Sequence, residues 1–158
     1  MELKNWANNI FTIENFWKEQ ECGDFILKSE ALGYEPATID TEKGQIVLET
    51  IRNNNRVIYK DFILSDRIWQ QLKEFAPPKI GNSIAVGLNE LFRFYKYQPG
   101  QEFKKHRDQS YIRNETEASY FTFMIYLNDN YEGGETTFNN ITIQPKQGTA
   151  LIFFHDLE

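Results

Sequence analysis

Apolar residues recur at roughly helical spacing between Glu14 and Leu32, at Phe16, Trp17, Cys22, Phe25, Ile26 and Leu32, and Gly33 supplies a stop. This predicts a helix over Glu14–Leu32, weakened a little by Gly23 in its interior. Extended segments follow at Gln45–Ile51 and Val57–Ile58, parted by the polar run Arg52-Asn53-Asn54-Asn55-Arg56. A second helix is predicted over Ser65–Ala76, with Ser65 as its cap and Pro77-Pro78 as its end. From Leu88 onward the pattern changes to short strands, at Leu91–Tyr97, Ser119–Leu127, Glu135–Phe138, Ile141–Gln144 and Thr149–Phe154. Turn chemistry punctuates them at Pro99-Gly100, Gly133-Gly134, Asn139-Asn140 and Pro145 to Gly148. Asn139-Asn140, between two short β runs, is placed for a two-residue hairpin. Helices first and closely spaced antiparallel strands after them imply a mainly β, α+β architecture, a sandwich or barrel with helices on one side.

Strand phase adds a functional hint. Along Tyr120–Leu127 one face carries Phe121, Phe123, Ile125 and Leu127, uniformly apolar. The other carries Tyr120, Thr122, Met124 and Tyr126, apolar bodies with several polar tips. Such a face suits the lining of a small-molecule pocket, although Tyr and Thr are also ordinary strand residues.

Composition narrows the class. At 158 residues, with no repeat or linker, the chain suits one domain able to bury a real core. Hydrophobic residues at 41% and aromatics at 15% exclude a disordered chain, and 13 Phe with 8 Tyr favour strands. A net charge of −6 without a Lys/Arg cluster argues against a nucleic-acid binder that works by neutralising phosphates. Cys22 is the sole cysteine, which excludes an intrachain disulfide and speaks against thiolate zinc; a buried or half-buried helical thiol is the expectation. No apolar stretch reaches membrane-spanning length, and MELKNWANNIFTIENFW is too polar for a secretory signal, so no membrane partner and a cytoplasmic location are expected.

The chain holds two histidines, His106 and His155. The first stands in His106-Arg107-Asp108. In an extended segment residues i and i+2 point the same way, so an imidazole and a carboxylate converge on one point. A second histidine from a neighbouring strand would complete a two-His, one-carboxylate facial triad with open positions for a co-substrate and oxygen. Alone, an H-x-D is a weak signal.

Its surroundings are more specific. The stretches RFYKYQPGQEFKKHRD, TFMIYLND, EGGET and PKQGTALIFFHDL closely resemble the bacterial-type branch of the prolyl-4-hydroxylase-like 2-oxoglutarate/Fe(II)-dependent dioxygenases. Upstream, FTIENFWKEQECGDFI and IRNNNRVI resemble that branch's helical entry and Arg/Asn loop, so the resemblance covers nearly the whole chain. It implies a double-stranded β-helix (jelly roll), with residues 1–87 a helical and mixed entry region and 88–158 a jelly-roll core lacking its last strand. His106 and Asp108 match two iron ligands of the family. Tyr97 matches a tyrosine lining the 2-oxoglutarate pocket, and Tyr126 a position that can hydrogen-bond the co-substrate carboxylate. Met124 and Thr122, on the same strand face, would be wall residues. The alternative for both tyrosines is a core role with one satisfied hydroxyl. Gly133-Gly134-Glu135-Thr136 matches a turn whose work is backbone geometry. Arg52 and Arg56 flank a loop that in relatives lies near the mouth of the site, where a substrate contact competes with the expectation of a solvated basic loop.

The sequence departs from the family at its end. The distal iron-binding histidine of relatives would lie just past Glu158, and His155 stands a few residues too early for it. The basic residue that pairs with the far carboxylate of 2-oxoglutarate has no counterpart either, and a charge-assisted pair is among the stronger polar contacts. Two readings follow: a fragment of a longer protein, which is favoured, or His155 taken as third metal ligand in a shortened relative.

The resemblance implies Fe(II), 2-oxoglutarate and O2, with ascorbate as a reductant, and hydroxylation of an unactivated C–H bond. A prolyl residue of a peptide or protein is the leading substrate; a free amino acid or other small molecule competes with it. No side chain is assigned as an acid, base or nucleophile. Rival classes are a catalytically inactive jelly-roll binding module and a cupin-like hydrolase or isomerase with another divalent metal. Two histidines in all, and no further carboxylates beside the H-x-D, count against the last.

Overall fold

The computed structural model describes residues 1–155; Asp156 and Leu157, which close the last family-like stretch, lie outside them. In chain order the elements are β1 (Glu2–Ala7), β2 (Ile10–Glu14), α1 (Glu19–Leu32), β3 (Glu35–Pro36), β4 (Ile39–Thr41), β5 (Gly44–Ile46) and β6 (Asn55–Lys60). There follow α2 (Phe62–Leu72), β7 (Lys79–Ile80), β8 (Ser83–Ile84), β9 (Leu91–Lys96), β10 (Phe121–Ile125), β11 (Thr136–Phe138), β12 (Ile141–Ile143) and β13 (Ala150–Phe154). Neither helix is long and apolar enough to cross a membrane.

Two strands precede the first helix, which the hydrophobic pattern did not single out. β2 lies inside an antiparallel sheet of order β1-β2-β13-β10, with Ile13 opposite Ala150 and Phe11 opposite Ile152. Its side chains are covered on both faces, Phe11 and Ile13 by the helices, Ile10 by the opposite layer. A strand buried on both faces reads as a continuous apolar run without period two, so IFTIE lacks the alternation that marks a half-exposed strand.

The helices start elsewhere than expected. α1 begins at Glu19, because Glu14 ends β2 and residues 15–18 form the connection. Glu21 reaches back to accept from the Lys18 backbone N–H at 3.2 Å, which satisfies one open donor of the first turn. α2 is capped by Asp61, not Ser65: Asp61 Oδ1 accepts from Leu64 N at 2.8 Å. Ser65 sits one turn inside, its hydroxyl donating to the Phe62 carbonyl. Leu64, Ile68 and Leu72, spaced by four, form the buried stripe of this helix.

One core lies between the helices and the four-stranded sheet. It joins Phe11, Ile13, Phe16, Trp17, Cys22, Leu64, Ile68, Leu72 and Ile152, with Phe121, Phe123, Ile125 and Leu127 packed on it. Cys22 is fully buried there, and burial raises its thiol pKa above the ordinary value. A smaller core of Ile10, Tyr126, Ile143 and Leu151 lies on the other side, where the β11–β12 hairpin adds Phe138 and Ile141. The hairpin turns at Asn139-Asn140 as expected, with Phe138 opposite Ile141. The two faces of β10 therefore serve two layers, the all-apolar one toward the helices and the mixed one toward the hairpin.

Gly148 ties these layers together. Its φ is +76°, and a Cβ there would lie 2.1 Å from the Trp17 carbonyl oxygen. The close approach lets Trp17 N donate to Gly148 O at 3.0 Å and Gly148 N donate to Tyr126 O at 2.8 Å. A second antiparallel sheet, β3-β6-β9, places β9 and the Arg52–Arg56 region beside the segment that carries the H-x-D.

Candidate active site

His106-Arg107-Asp108 lies on an irregular segment between two isolated bridges, Arg52 with Phe103 and Ile112 with Ala118. Despite the lack of a regular ladder, the two side chains converge: His106 Nε2 is 3.1 Å from Asp108 Oδ1. His106 Nδ1 lies 2.7 Å from the Lys104 carbonyl oxygen, which can only accept. Nδ1 must therefore carry a proton, and in the neutral ring Nε2 presents its lone pair toward the carboxylate. A lone pair and a carboxylate oxygen at that distance repel unless a proton or a cation sits between them. The hydrogen bond with Asp108 accordingly raises the His106 pKa, against the opposing effect of burial. For Asp108 burial pushes upward, but hydrogen bonds from His106 and Thr122 outweigh it and hold the carboxyl below its ordinary value. A divalent cation would take the place of the proton, and a fixed Nδ1–H tautomer with a backbone acceptor is how metal-bound histidines are held. The donor set fits Fe(II) as far as these two residues go.

The second carboxylate oxygen is also held. Thr122, on the mixed face of β10, donates through Oγ1 to Asp108 Oδ2 at 2.5 Å. Thr122 is thus a support for the carboxylate as well as part of the wall.

His155 follows β13 directly. Its backbone N–H donates to the Tyr120 carbonyl at 3.2 Å, and its Nδ1 is 3.1 Å from Ser110 Oγ. Its charge contributes to lowering the Asp108 pKa. Among the described residues, however, no three His, Cys, Asp or Glu side chains come together as a metal-holding group. His106 and Asp108 form a hydrogen-bonded pair.

Tyr126 is 7% exposed, and burial pushes its pKa up to about 12 although a hydrogen bond with Thr136 Oγ1 at 2.6 Å opposes the shift. Met124 packs in the same small core. Tyr97, just after β9, keeps 47% of its surface, yet enough of the phenol is covered to raise its pKa. Gly133 and Gly134 both adopt positive φ, +80° and +75°, in keeping with a backbone role.

The polar run before β6 differs most from expectation. Arg52 is only 5% exposed, so it is no solvated loop residue. Its Nε donates to Asn54 Oδ1 at 2.8 Å, and its guanidinium carbon lies 4.4 Å from the Tyr95 ring centroid and 4.2 Å from that of Phe103. Phe103 in turn stacks on His106, with centroids 3.6 Å apart and planes 15° from parallel. Sequence reasoning set a substrate contact for Arg52 below a solvated loop and did not single out Phe103; a buried arginine in an Asn-rich run has no local signature.

Residues 92–158 match the family described as the 2OG-Fe(II) oxygenase superfamily. Over that stretch the chain is similar to 2-oxoglutarate/Fe(II) oxygenases, and over nearly its whole length to prolyl 4-hydroxylases. Prolyl 4-hydroxylase 1 of Arabidopsis thaliana is 21% identical over 171 residues, 97% of this chain and 60% of that protein. Probable prolyl 4-hydroxylase 4 of the same plant is 25% identical over 179 residues, 92% of this chain and 56% of that protein. The chain spans about three fifths of the length of the first of these relatives. A viral collagen prolyl hydroxylase from Paramecium bursaria chlorella virus-1, solved with 2-oxoglutarate, superposes with a TM-score of 0.68 at 24% identity, covering 94% of this chain and 78% of that one. A Pseudomonas putida prolyl-4-hydroxylase superposes at 0.62 and 14% identity, covering 93% and 81%. These likenesses establish the fold as a jelly roll.

Proposed function

We propose that the protein is a non-haem Fe(II), 2-oxoglutarate-dependent dioxygenase that hydroxylates an unactivated C–H bond, with a prolyl residue of a peptide or protein as the leading substrate. The observation that carries this reading is the His106–Asp108 pair, its imidazole proton committed to the Lys104 carbonyl and its carboxylate held by Thr122. Fe(II) bound there, with 2-oxoglutarate and O2, supplies oxidative decarboxylation: succinate and CO2 form, and one oxygen atom enters the substrate as a hydroxyl. His106 and Asp108 would hold the metal through Nε2 and a carboxylate oxygen. Tyr97 and Tyr126 would line the co-substrate pocket, Tyr126 through a hydroxyl that also bonds Thr136, while Met124 and Thr122 form its wall and limit access of water. A phenol with a pKa near 12 stays protonated at neutral pH and can donate to a carboxylate without adding negative charge. The prolyl substrate rests on the names of the relatives and on the fold; a free amino acid is the competing choice. Ascorbate as a reductant and a cytoplasmic setting belong to the same reading.

A second reading has one observation in its favour. The described residues hold no three-donor metal group, as a jelly-roll binding module without catalysis would not. Fe(II)-dependent succinate formation from 2-oxoglutarate separates the two, since uncoupled turnover needs no knowledge of the true substrate. Succinate formed by the protein and abolished by Asp108→Ala supports the oxygenase. Binding of 2-oxoglutarate without turnover, in a longer reading frame as in this chain, would overturn it. His155→Ala then assigns the third ligand: lost turnover places it at His155, and retained turnover places it elsewhere.

A further inference from the structure

We propose that Arg52, acting through Phe103, is a positioning residue that fixes the ring plane of His106. The inference rests on the reading of His106 as a metal ligand.

Hydrogen bonds at the two ring nitrogens leave an imidazole free to turn about the line that joins them. The contacts of Nδ1 with the Lys104 carbonyl and of Nε2 with Asp108 fix one axis of the His106 ring, but its plane could still turn about that axis. The face of Phe103, 3.6 Å from the imidazole centroid and 15° from parallel, removes that freedom. Phe103 must itself be held, and Arg52 does this from the other side. The guanidinium carbon at 4.2 Å and the imidazole at 3.6 Å both lie over the Phe103 ring, and two groups that close cannot share one face. Phe103 is therefore clasped between a cation and an imidazole.

The backbone supports the same arrangement. Arg52 and Phe103 form an isolated antiparallel bridge, with Lys104 N donating to Ile51 O at 3.0 Å and Asn53 N donating to Glu102 O at 3.2 Å. Asn53 Oδ1 also accepts from Glu102 N at 2.7 Å. The Ile51–Asn53 loop thus grips the segment that leads into the H-x-D. The burial of Arg52 also fits this role. Its Nη2 is buried with no hydrogen-bond partner among the described residues, a costly state for a cation. The faces of Tyr95 and Phe103 are what stabilise the charge there. A residue kept only to bring charge to solvent would not be placed this way.

The test uses the full chain with 13C-labelled histidine, whose two imidazole Cε1–Hε1 signals report on His106 and His155 separately. Stacking on Phe103 is expected to hold the His106 signal upfield through the ring current. Arg52→Gln should move it toward the value of a free imidazole, leave His155 in place, and weaken Co(II) binding about tenfold, the usual cost of losing an outer support of a metal ligand. Phe103→Leu leaves the buried charge intact and should weaken Co(II) binding to a similar degree. The double variant should be no weaker than either single one, because the two act as a unit. A folded Arg52→Gln with unchanged His106 signal and Co(II) affinity would overturn the proposal. Should Arg52→Gln fail to fold, unchanged Co(II) affinity in Phe103→Leu overturns it instead. Absence of Co(II) binding by the unaltered chain would count against the metal site, while the His106 signal in Arg52→Gln would still judge the stack.

Discussion

Thr122 Oγ1 donates to Asp108 Oδ2 at 2.5 Å, joining the strand face that faces the small core to the carboxylate of the H-x-D. The bond spans two segments with no regular pairing between them, so it fixes the carboxylate rotamer from outside its own chain segment. Thr122→Val keeps the branched shape and removes the donor. Metal affinity should fall roughly 10- to 100-fold, as for other supports of metal ligands, with the fold preserved. Co(II) titration beside a circular-dichroism spectrum checks this, and unchanged affinity would make Thr122 a wall residue only.

Tyr126 combines a buried ring with a hydroxyl shared with Thr136. Tyr126→Phe removes that hydroxyl and should lower stability by about 1 kcal/mol, the net worth of an ordinary buried hydrogen bond. If Tyr126 also contacts the co-substrate, the KM for 2-oxoglutarate should rise more than kcat falls. A stability loss with unchanged KM would assign Tyr126 to the core alone.

At Gly148 positive φ and close contact act together, since any Cβ would meet the Trp17 carbonyl at 2.1 Å. Gly148→Ala must push β2–α1 away from the turn before β13, and strain of that kind is expected to cost more than about 2 kcal/mol. The expected result is a large drop in melting temperature or loss of soluble protein. A shift of only a degree or two would mean that the contact relaxes easily.

Glu90 and Arg113 form a bidentate pair at 3.2 and 2.5 Å, and the Arg113 guanidinium lowers the Glu90 pKa from 4.5 to about 2. Because the folded pKa lies below the unfolded one, the pair stabilises fully above about pH 4.5 and loses its effect as pH falls toward about 2. The melting-temperature gap between the native chain and Glu90→Gln should therefore be steady at neutral pH and close on acidification across that window. A gap that persists at the acid end would show that Glu90 acts through packing rather than charge.

Much of the candidate site could be read along the chain because its logic is local. His106 and Asp108 are two residues apart, and period-two geometry brings such side chains to one side even where the ladder is broken. The two faces of Tyr120–Leu127 and the Asn139-Asn140 hairpin are likewise properties of single short segments. The family-like stretches supplied the jelly-roll fold, which periodicity alone left open between sandwich and barrel.

What the tertiary structure alone decided are relationships between distant segments. β2 carries no alternation because β1 and β13 flank it and both of its faces are covered, so its sequence resembles any short apolar run. Asp61 and Ser65 are both sound helix caps on paper, and the choice fell to the start set by burying Leu64, Ile68 and Leu72. Arg52 in an Asn-rich run reads as solvated; it is buried because Tyr95 and Phe103, more than 40 residues away, offer aromatic faces that offset the loss of water. A segment's own pattern states which side chains share a face, whereas what covers that face depends on packing between segments that only the folded chain brings together.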